Sequence, residues 1–332
     1  MGTGGPEMLQ VRSDVPVPRP ASGEALVRVG ACGVNNTDLN TRTGWYGSPS
    51  GWTGGLAFPR IQGAGICGRV TEVGSPVNEN LIGRRVLVDP WIRGSQGTGW
   101  RDHLAYLGSE IDGGFAEYCA VPVANVVPVE SALSDAELAT FPCAWSTAEH
   151  MLTRVDLTAG QRIAIPGASG GVGSALVQLA KLRGAHVTAI AGSAKTNRVQ
   201  ALGADIVLAR ETPDVPAAAV REGGLFDVVA DVVGGPDVPG WWRSLRRGGR
   251  YVCCGAIAGP LVELDLRTLY LNDLELIGAT AYQREVFTAL VDIIESGTVQ
   301  PHVAATYPLE RIHEAQEAFA AKGHVGSIVI TL

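Results

Sequence analysis

The sequence predicts an α/β protein of two domains, one rich in β-strands and one with a doubly wound parallel sheet. Its 332 residues exceed the usual length of a single domain, which favours two. Residues 1–145 contain short apolar runs separated by glycine and proline. From residue 163 onward, short strand and helix patterns alternate, beginning with a glycine-rich turn at residues 167–173. These observations together predict the fold class.

The first domain is predicted to consist mainly of short strands. They cover residues 25–29, 68–73, 85–88 and 116–121. A helix is predicted over residues 138–152, where the chain passes into the second domain. Two glycine-rich loops, 44–55 and 94–114, and the residues next to them carry aromatic side chains, among them Trp45, Tyr46, Trp52, Trp91, Trp100 and Tyr106. Such aromatics either line a pocket or pack on the domain, and the sequence leaves both open.

The turn at residues 167–173 has the features of a dinucleotide-binding turn. An apolar strand pattern precedes it and a helix pattern, 174–181, follows. The glycines let the backbone turn sharply and approach a pyrophosphate, to which the first amides of the helix present partial positive charge. NAD is usually held by an acid about 20 residues further on, but no Asp or Glu occurs from Ser174 to Ala204. This absence favours NADP.

The same turn also fits the G-x-S-x-G nucleophile elbow of serine hydrolases, with Ser169 as the nucleophile. Later acids and histidines could nominally complete a triad, namely Asp265, Asp292, His302, His313 and His324. However, no His-Gly-Gly oxyanion segment precedes the turn. The continuing alternation of strands and helices favours the nucleotide site, in which Ser169 is a small residue that the turn tolerates.

The rest of the chain continues this alternation. Strands are predicted over 186–191, 206–208, 226–233 and 249–255, helices over 286–294 and 312–319, and a final strand over 327–332.

Composition excludes several classes of function. The net charge of −7 and pI near 5.4 make nucleic acid a poor partner. No apolar run approaches the roughly 18 residues of a membrane span, and the N-terminus lacks a secretory signal pattern. The six cysteines show no C-x-x-C spacing, as expected for small buried hydrophobes in a reducing compartment. A cytoplasmic protein is expected.

Several motifs occur in an order that resembles the medium-chain dehydrogenase/reductase superfamily, in particular its zinc-independent quinone oxidoreductase-like branch. Besides the glycine turn they are Gly4–Glu7, Gly23–Val29, Gly33–Asn35, Gly113–Tyr118, Leu202–Asp205 and Asp231–Gly235. The resemblance implies a GroES-like catalytic domain from residues 1–145 and 279–332, a Rossmann NADP-binding domain over 146–278, and a homodimer. Family chains usually carry a strand before the first motif, which here follows Met1 almost directly, so a missing N-terminal strand stays open.

The resemblance also bears on zinc. Zinc-dependent members bind the catalytic metal through a Cys at the position of Asn35, a His at Ala64 and a later Cys at Cys143. Only Cys143 is present here, and a catalytic zinc requires three protein ligands. The segment that matches the structural-zinc lobe, about residues 90–110, contains no cysteine. We therefore predict a metal-free enzyme in which Cys143 is a packing residue.

The first domain instead matches the quinone-reductase pattern of Asn35, Asp38, Arg42, Gly44 and Tyr46. The resemblance implies that Asn35 hydrogen-bonds the cofactor or the substrate carbonyl and that Tyr46 donates a proton. The alternative for Tyr46 is a loop aromatic that packs on the domain. Asp38 is expected to order the local backbone and its neighbours.

The end of the second strand of the nucleotide domain suits a 2'-phosphate. Gly192 leaves room, Ser193 offers a donor, and Lys195 and Arg198 supply charge. Arg210, after the third strand, is expected to stack on adenine or pair with the phosphate. The turn residues expected at the pyrophosphate are Ser169, Gly170, Gly171 and Val172. The resemblance implies that four further residues lie at the nicotinamide side, namely Thr147, Val233, Gly255 and Ala256.

Together these features predict NADPH-dependent reduction of a conjugated carbonyl, either a quinone or an enone or enal, by hydride transfer without zinc. Conjugation spreads the charge that a Lewis acid would otherwise stabilise. Two alternatives stay open: a zinc-independent alcohol or aldehyde dehydrogenase-like enzyme, and an NADPH-binding protein without significant turnover.

Overall fold

The computed structural model describes residues 2–47, 56–74, 79–94 and 104–332. Over these residues the strands are β1 (Glu24–Val34), β2 (Gly65–Val73), β3 (Arg85–Val88), β4 (Trp91–Arg93), β5 (Leu104–Tyr106), β6 (Tyr118–Pro122), β7 (Val126–Pro128), β8 (Arg162–Pro166), β9 (His186–Ala191), β10 (Ile206–Ala209), β11 (Phe226–Asp231), β12 (Leu245–Cys253), β13 (Glu275–Gly278), β14 (Val303–Pro308) and β15 (Ser327–Thr331). The helices are α1 (Asn36–Thr43), α2 (Asp135–Leu138), α3 (Ser146–Arg154), α4 (Gly171–Leu182), α5 (Thr196–Gln200), α6 (Val215–Gly223), α7 (Val238–Arg243), α8 (Leu266–Leu271), α9 (Arg284–Glu295) and α10 (Ile312–Ala320).

The chain divides into two compact units. One comprises residues 1–144 and 283–332, and the other residues 145–282. The sequence placed the corresponding boundaries after residues 145 and 278. The first unit is therefore built from both ends of the chain, with the second unit inserted between them.

The first unit is organised around β1. Its sheet has the order β14-β15-β1-β2-β3-β7, and β6 also pairs with β1. β1 is antiparallel to β15, β2 and β6. This central position explains why Ala25, Val27 and Cys32 of β1 are fully buried in the core. β14 and β15 attach the C-terminal segment to the same sheet.

The second unit contains a parallel sheet of order β10-β9-β8-β11-β12-β13. Ile163, Ala164 and Ile165 of β8 are fully buried, as expected for a central strand covered on both faces. The strand order reverses between β8 and β11. Ligands of such sheets bind beyond the carboxyl ends of the strands at this switch point. The predicted α/β fold class, with its doubly wound sheet, is confirmed.

The prediction of a single helix over residues 138–152 is wrong. The structure has α2 and α3, separated by a π-helical turn over Phe141–Trp145. Pro142 lies in this turn; it has no N–H to donate, and its ring disturbs regular α-helical packing. The interruption coincides with the passage of the chain from the first unit into the second.

None of the helices in the described part of the chain is both long and apolar enough to cross a membrane.

Candidate active site

The glycine-rich turn joins β8 to α4 at the carboxyl edge of the parallel sheet. Gly167 has a φ of +78°, and a Cβ on Gly173 would lie 2.1 Å from the carbonyl oxygen of Gly167, so both positions require glycine. The helix begins at Gly171, after Gly170 as its N-cap. The first N–H groups of a helix have no intrahelical acceptor. Those of Gly171 and Val172 are therefore able to bind a pyrophosphate.

Ser169 is buried in this turn, with 8% of its surface exposed. The left-handed backbone falls on Gly167, whereas a nucleophile elbow places its strained conformation at the serine. Asp265, one of the nominal triad acids, pairs with the guanidinium of Arg267 at 2.7 Å. These features favour the nucleotide-binding interpretation over the hydrolase alternative.

The side chains predicted to bind a 2'-phosphate gather at the end of β9. A Cβ on Gly192 would lie 3.4 Å from Cε of Lys195 and 3.8 Å from Cζ of Arg210. Burial lowers the pKa of Lys195, and the nearby charges of Arg210 and Arg198 lower it further. Lys195 and Arg210 therefore lie beside Gly192, and Arg198 is close enough to Lys195 to affect its pKa.

Glu211 also lies in this cluster, and the sequence interpretation missed it. Its Oε2 accepts the backbone N–H of Ser193 at 3.0 Å, and its Oε1 accepts Nε–H of Arg210 at 3.2 Å. Its own backbone N–H, that of Ser193 and the Arg210 side chain hold the Glu211 pKa below its usual value. Because β10 is the neighbour of β9 in the sheet, residues that follow both strands meet in space. The expectation that these two strands are neighbours is the signal that could have identified Glu211 from the sequence.

A buried carboxylate shapes the turn after β11. Asp231 is fully buried, and its Oδ1 accepts the backbone N–H groups of Val233 at 2.7 Å and Gly234 at 3.1 Å. The sequence interpretation treated Asp231 only as part of a motif. The structure shows that it fixes the backbone of a predicted cofactor-binding residue, Val233.

The turn after β12 packs on the turn after β11. A Cβ on Gly234 would lie 3.0 Å from Cα of Ala256, which leaves no space for a side chain there. Val233, Gly255 and Ala256 therefore share the carboxyl edge of the sheet. Thr147, the other residue predicted on this side, lies in the first turn of α3, which packs against α4.

In the first unit, Asp38 orders the start of α1. It is 1% exposed, and its two oxygens accept the backbone N–H groups of Asn35 at 2.7 Å and Gly63 at 3.1 Å. Burial raises the pKa of Asp38 to about 7, against the opposing effect of these amides and of Arg42. The Asn35 amide Nδ2 donates to the carbonyl of Gly33 at 3.0 Å. These contacts fix the orientation of Asn35 at the end of β1.

A series of buried hydrogen bonds connects α1 to the C-terminal helix α10. Gln62 Nε2 donates to the carbonyl of Asp38 at 2.6 Å, and Gln316 Nε2 donates to Oε1 of Gln62 at 3.0 Å. Arg42 Nη1 donates to Oε1 of Gln316 at 2.5 Å. The partners are far apart in sequence, so no local pattern indicated this network.

Tyr46 is half-buried just beyond α1. Asn40 Nδ2 donates to its phenol oxygen at 3.2 Å. Burial raises the Tyr46 pKa to about 12, and the nearby groups of Cys143, Asp38 and Glu110 act in the same direction. Tyr46 thus remains protonated at neutral pH and has a hydrogen to donate.

Cys143 is buried, and the phenol of Tyr106 contacts it with an O–S distance of 3.2 Å. Burial raises the pKa of the Cys143 thiol to about 12. Within the described ranges, no group of three or more His, Cys, Asp and Glu side chains is arranged to hold a metal ion.

The loop aromatics have different surroundings. Trp91 and Tyr106 are buried and pack edge to face, with ring centroids 4.7 Å apart, whereas Trp45 is 49% exposed. Trp52 and Trp100 lie outside the described residues.

Known protein families match both parts of the chain. Residues 21–131 match the alcohol dehydrogenase GroES-like domain, and residues 171–296 match the zinc-binding dehydrogenase family.

Two relatives match over nearly their whole length. Acryloyl-coenzyme A reductase of Metallosphaera sedula is 30% identical over 96% of this chain and 95% of its own. Quinone oxidoreductase of Mus musculus is 28% identical over 99% of this chain and 95% of its own. A Sinorhizobium meliloti crystal structure described as an alcohol dehydrogenase is 45% identical, covering 99% of this chain and 94% of its own, with a TM-score of 0.94.

Proposed function

Because the chain belongs to the medium-chain dehydrogenase/reductase superfamily, in its quinone oxidoreductase-like branch, we propose that it reduces a conjugated carbonyl with NADPH and without zinc. The substrate class is a quinone, an enone or an enal. The observation that carries the choice of cofactor is the group of cationic side chains around Gly192.

The residues present fit a nicotinamide dinucleotide. Gly171 and Val172 offer backbone N–H groups for the pyrophosphate at the start of α4. Lys195, Arg198 and Arg210 provide the charge that a 2'-phosphate needs, and such charged hydrogen bonds contribute roughly 1.5 to 3 kcal/mol each before solvent screening. NADPH is therefore the cofactor that we propose.

The surroundings of Cys143 support a reaction without zinc. A catalytic zinc takes three protein ligands, and the positions that supply two of them in zinc-dependent relatives hold Asn35 and Ala64 here. Ala64 carries no donor atom, and Asn35 is held by the carbonyl of Gly33. The Cys143 thiol packs against the phenol of Tyr106.

The bound cofactor would supply a hydride to the electrophilic carbon of the substrate. Tyr46 then donates its phenol hydrogen to the carbonyl oxygen or enolate that develops negative charge. Asn35 orients the carbonyl through its side-chain amide. Asp38 positions Asn35 by accepting its backbone N–H at the start of α1. Two relatives bear the names of conjugated carbonyl compounds, acryloyl-coenzyme A and quinone, which supports this substrate class.

The test is a panel of quinones, enones, enals and simple alcohols, assayed with NADPH and with NADH. We expect turnover of conjugated carbonyls with NADPH and little oxidation of alcohols. Metal analysis of the same preparation accompanies the panel, and one stoichiometric catalytic zinc would contradict the proposal.

A second candidate is an alcohol or aldehyde dehydrogenase-like activity. The 45% identity to the Sinorhizobium meliloti protein described as an alcohol dehydrogenase favours it. Faster turnover of alcohols than of enones in the same panel would select this candidate. Tight NADPH binding with no turnover of any substrate would instead indicate a binding protein.

We also propose a homodimer that forms through the edge strand β13. Among the residues that the structure describes, β12 is the one strand that pairs with it. Exposed apolar side chains occur on β13 and in the 14 residues before it: Leu261 (92% exposed), Leu266 (64%), Tyr270 (63%) and Leu276 (41%). A second copy pairing at this edge would cover them and remove an exposed strand edge.

A further inference from the structure

Glu211 engages donors that the proposed function assigns to the 2'-phosphate. Its carboxylate accepts the Ser193 amide and the Arg210 guanidinium. We propose that Glu211 is a specificity-determining residue, whose carboxylate competes with the 2'-phosphate of NADPH for these donors and so limits the preference for NADPH over NADH. This inference rests on the proposed cofactor site.

The geometry requires this competition. Oε1 of Glu211 would lie 3.7 Å from a Cβ on Gly192, at nearly the same distance as Cζ of Arg210. The carboxylate and the guanidinium thus share the small space beside Gly192. A phosphate that reached Arg210 and the Ser193 amide would meet the Glu211 oxygens, and two anions cannot accept the same donor hydrogens.

A 2'-phosphate can nevertheless displace the Glu211 carboxylate from these donors. The Arg210 and Glu211 side chains are 67% and 50% exposed, and exposed ion pairs are weak. A phosphate monoester carries more negative charge than a carboxylate and more acceptor oxygens. Lys195 and Arg198 add two positive charges to the cluster, in which Glu211 carries one negative charge. Phosphate binding is therefore expected to move Glu211 aside, at a cost in affinity.

A different role for the same residue makes the opposite prediction. A carboxylate beside Gly192 could accept the ribose hydroxyls of NADH, as the acid of NAD-binding relatives of this fold does. In that case removing it weakens NADH binding. The cationic neighbours favour the first role, because a ribose diol needs no positive charge.

The experiment is calorimetric titration of NADPH and NADH into the full-length protein and its Glu211→Gln and Glu211→Ala variants. Both variants remove the charge, while only glutamine keeps an oxygen for the Ser193 amide. We expect the Kd for NADPH to fall about three- to tenfold in both variants, because one screened like charge is removed. The Kd for NADH should stay within about twofold.

The matched control is Glu222→Gln, which removes the same charge from the exposed last turn of α6. It should leave both affinities unchanged. An unchanged NADPH affinity in both Glu211 variants, or a selective loss of NADH affinity, would overturn the inference. The wild-type ratio of the two affinities separately tests the proposed cofactor, so either proposal can fail alone. Unchanged thermal melting of the variants checks that they are folded.

Discussion

The phenol of Tyr251 donates a hydrogen bond of 2.7 Å to Oδ2 of the fully buried Asp231. The other carboxylate oxygen holds the backbone amides of Val233 and Gly234. β11 and β12 are parallel neighbours, so the phenol reaches the acid across the sheet. Burial, reinforced by the Asp231 charge, raises the Tyr251 pKa and keeps the phenol a donor. The pair therefore supports the turn that we propose at the nicotinamide.

Tyr251→Phe should destabilise the protein by about 1 to 3 kcal/mol, because it leaves a buried charged acceptor without its donor. Thermal or chemical unfolding measures the loss. Tyr270→Phe is the control, since Tyr270 is 63% exposed. Equal stability of the two variants would contradict the role of the Tyr251 phenol.

Lys195→Ala should weaken NADPH binding about tenfold, since it removes one charged contact to the 2'-phosphate. NADH lacks this phosphate, so its affinity should change little. Titration of both cofactors measures the difference. Arg221→Ala, on the exposed last turn of α6, removes a positive charge elsewhere and should affect neither cofactor. A parallel loss for NADPH and NADH would argue against a phosphate contact.

Tyr46→Phe should lower kcat about 100-fold or more with a conjugated carbonyl, the usual scale for a lost proton donor. The cofactor affinity should not change. Trp45→Phe tests the neighbouring exposed aromatic and should retain activity. Unchanged kinetics in Tyr46→Phe would remove this phenol from the mechanism and support the packing role instead.

Asp38 should make the stability of the first unit depend on pH. Burial raises its pKa to about 7, above the value of about 3.9 for an unfolded chain. The folded unit therefore holds the proton more tightly. This contribution to stability is complete below about pH 4 and is lost as the pH rises through about 7.

Asp38→Asn removes this titration. Between about pH 5 and pH 8, the unfolding free energy of the wild-type protein should fall by about 3 kcal/mol relative to the variant. Denaturant unfolding at the two pH values measures the difference. Glu117→Gln changes an exposed carboxyl of the same unit and should leave the wild-type pH dependence intact. Parallel pH profiles for wild type and Asp38→Asn would refute the raised pKa.

Leu276→Lys should shift the proposed dimer toward monomer, because a charge would then face the partner at the strand edge. Light scattering coupled to size-exclusion chromatography measures the mass. The control is Leu182→Lys, because the Leu182 side chain on α4 is 47% exposed. A wild-type protein that is already a monomer would exclude the dimer.

Local sequence patterns predicted the glycine turn and five of the six strands of the parallel sheet, β8 to β12. Gly173 is needed because a side chain there would collide with the backbone of Gly167, and Gly167 is needed because its φ is +78°. Both are local constraints of the turn. Lys195 also followed from local order, since it comes directly after β9. The predicted helix over 138–152 failed at Pro142, where a residue without an N–H interrupted an otherwise helical pattern.

Tertiary contacts set which groups from distant parts of the chain meet. Glu211 lies beside Gly192 because β10 pairs with β9, and Gln316 reaches Arg42 because the C-terminal segment returns to the first unit. Asp38 acquires its raised pKa from burial, which no spacing of residues expresses. Local conformation and steric fit follow from neighbouring residues, whereas charge pairing and desolvation depend on segments that folding brings together.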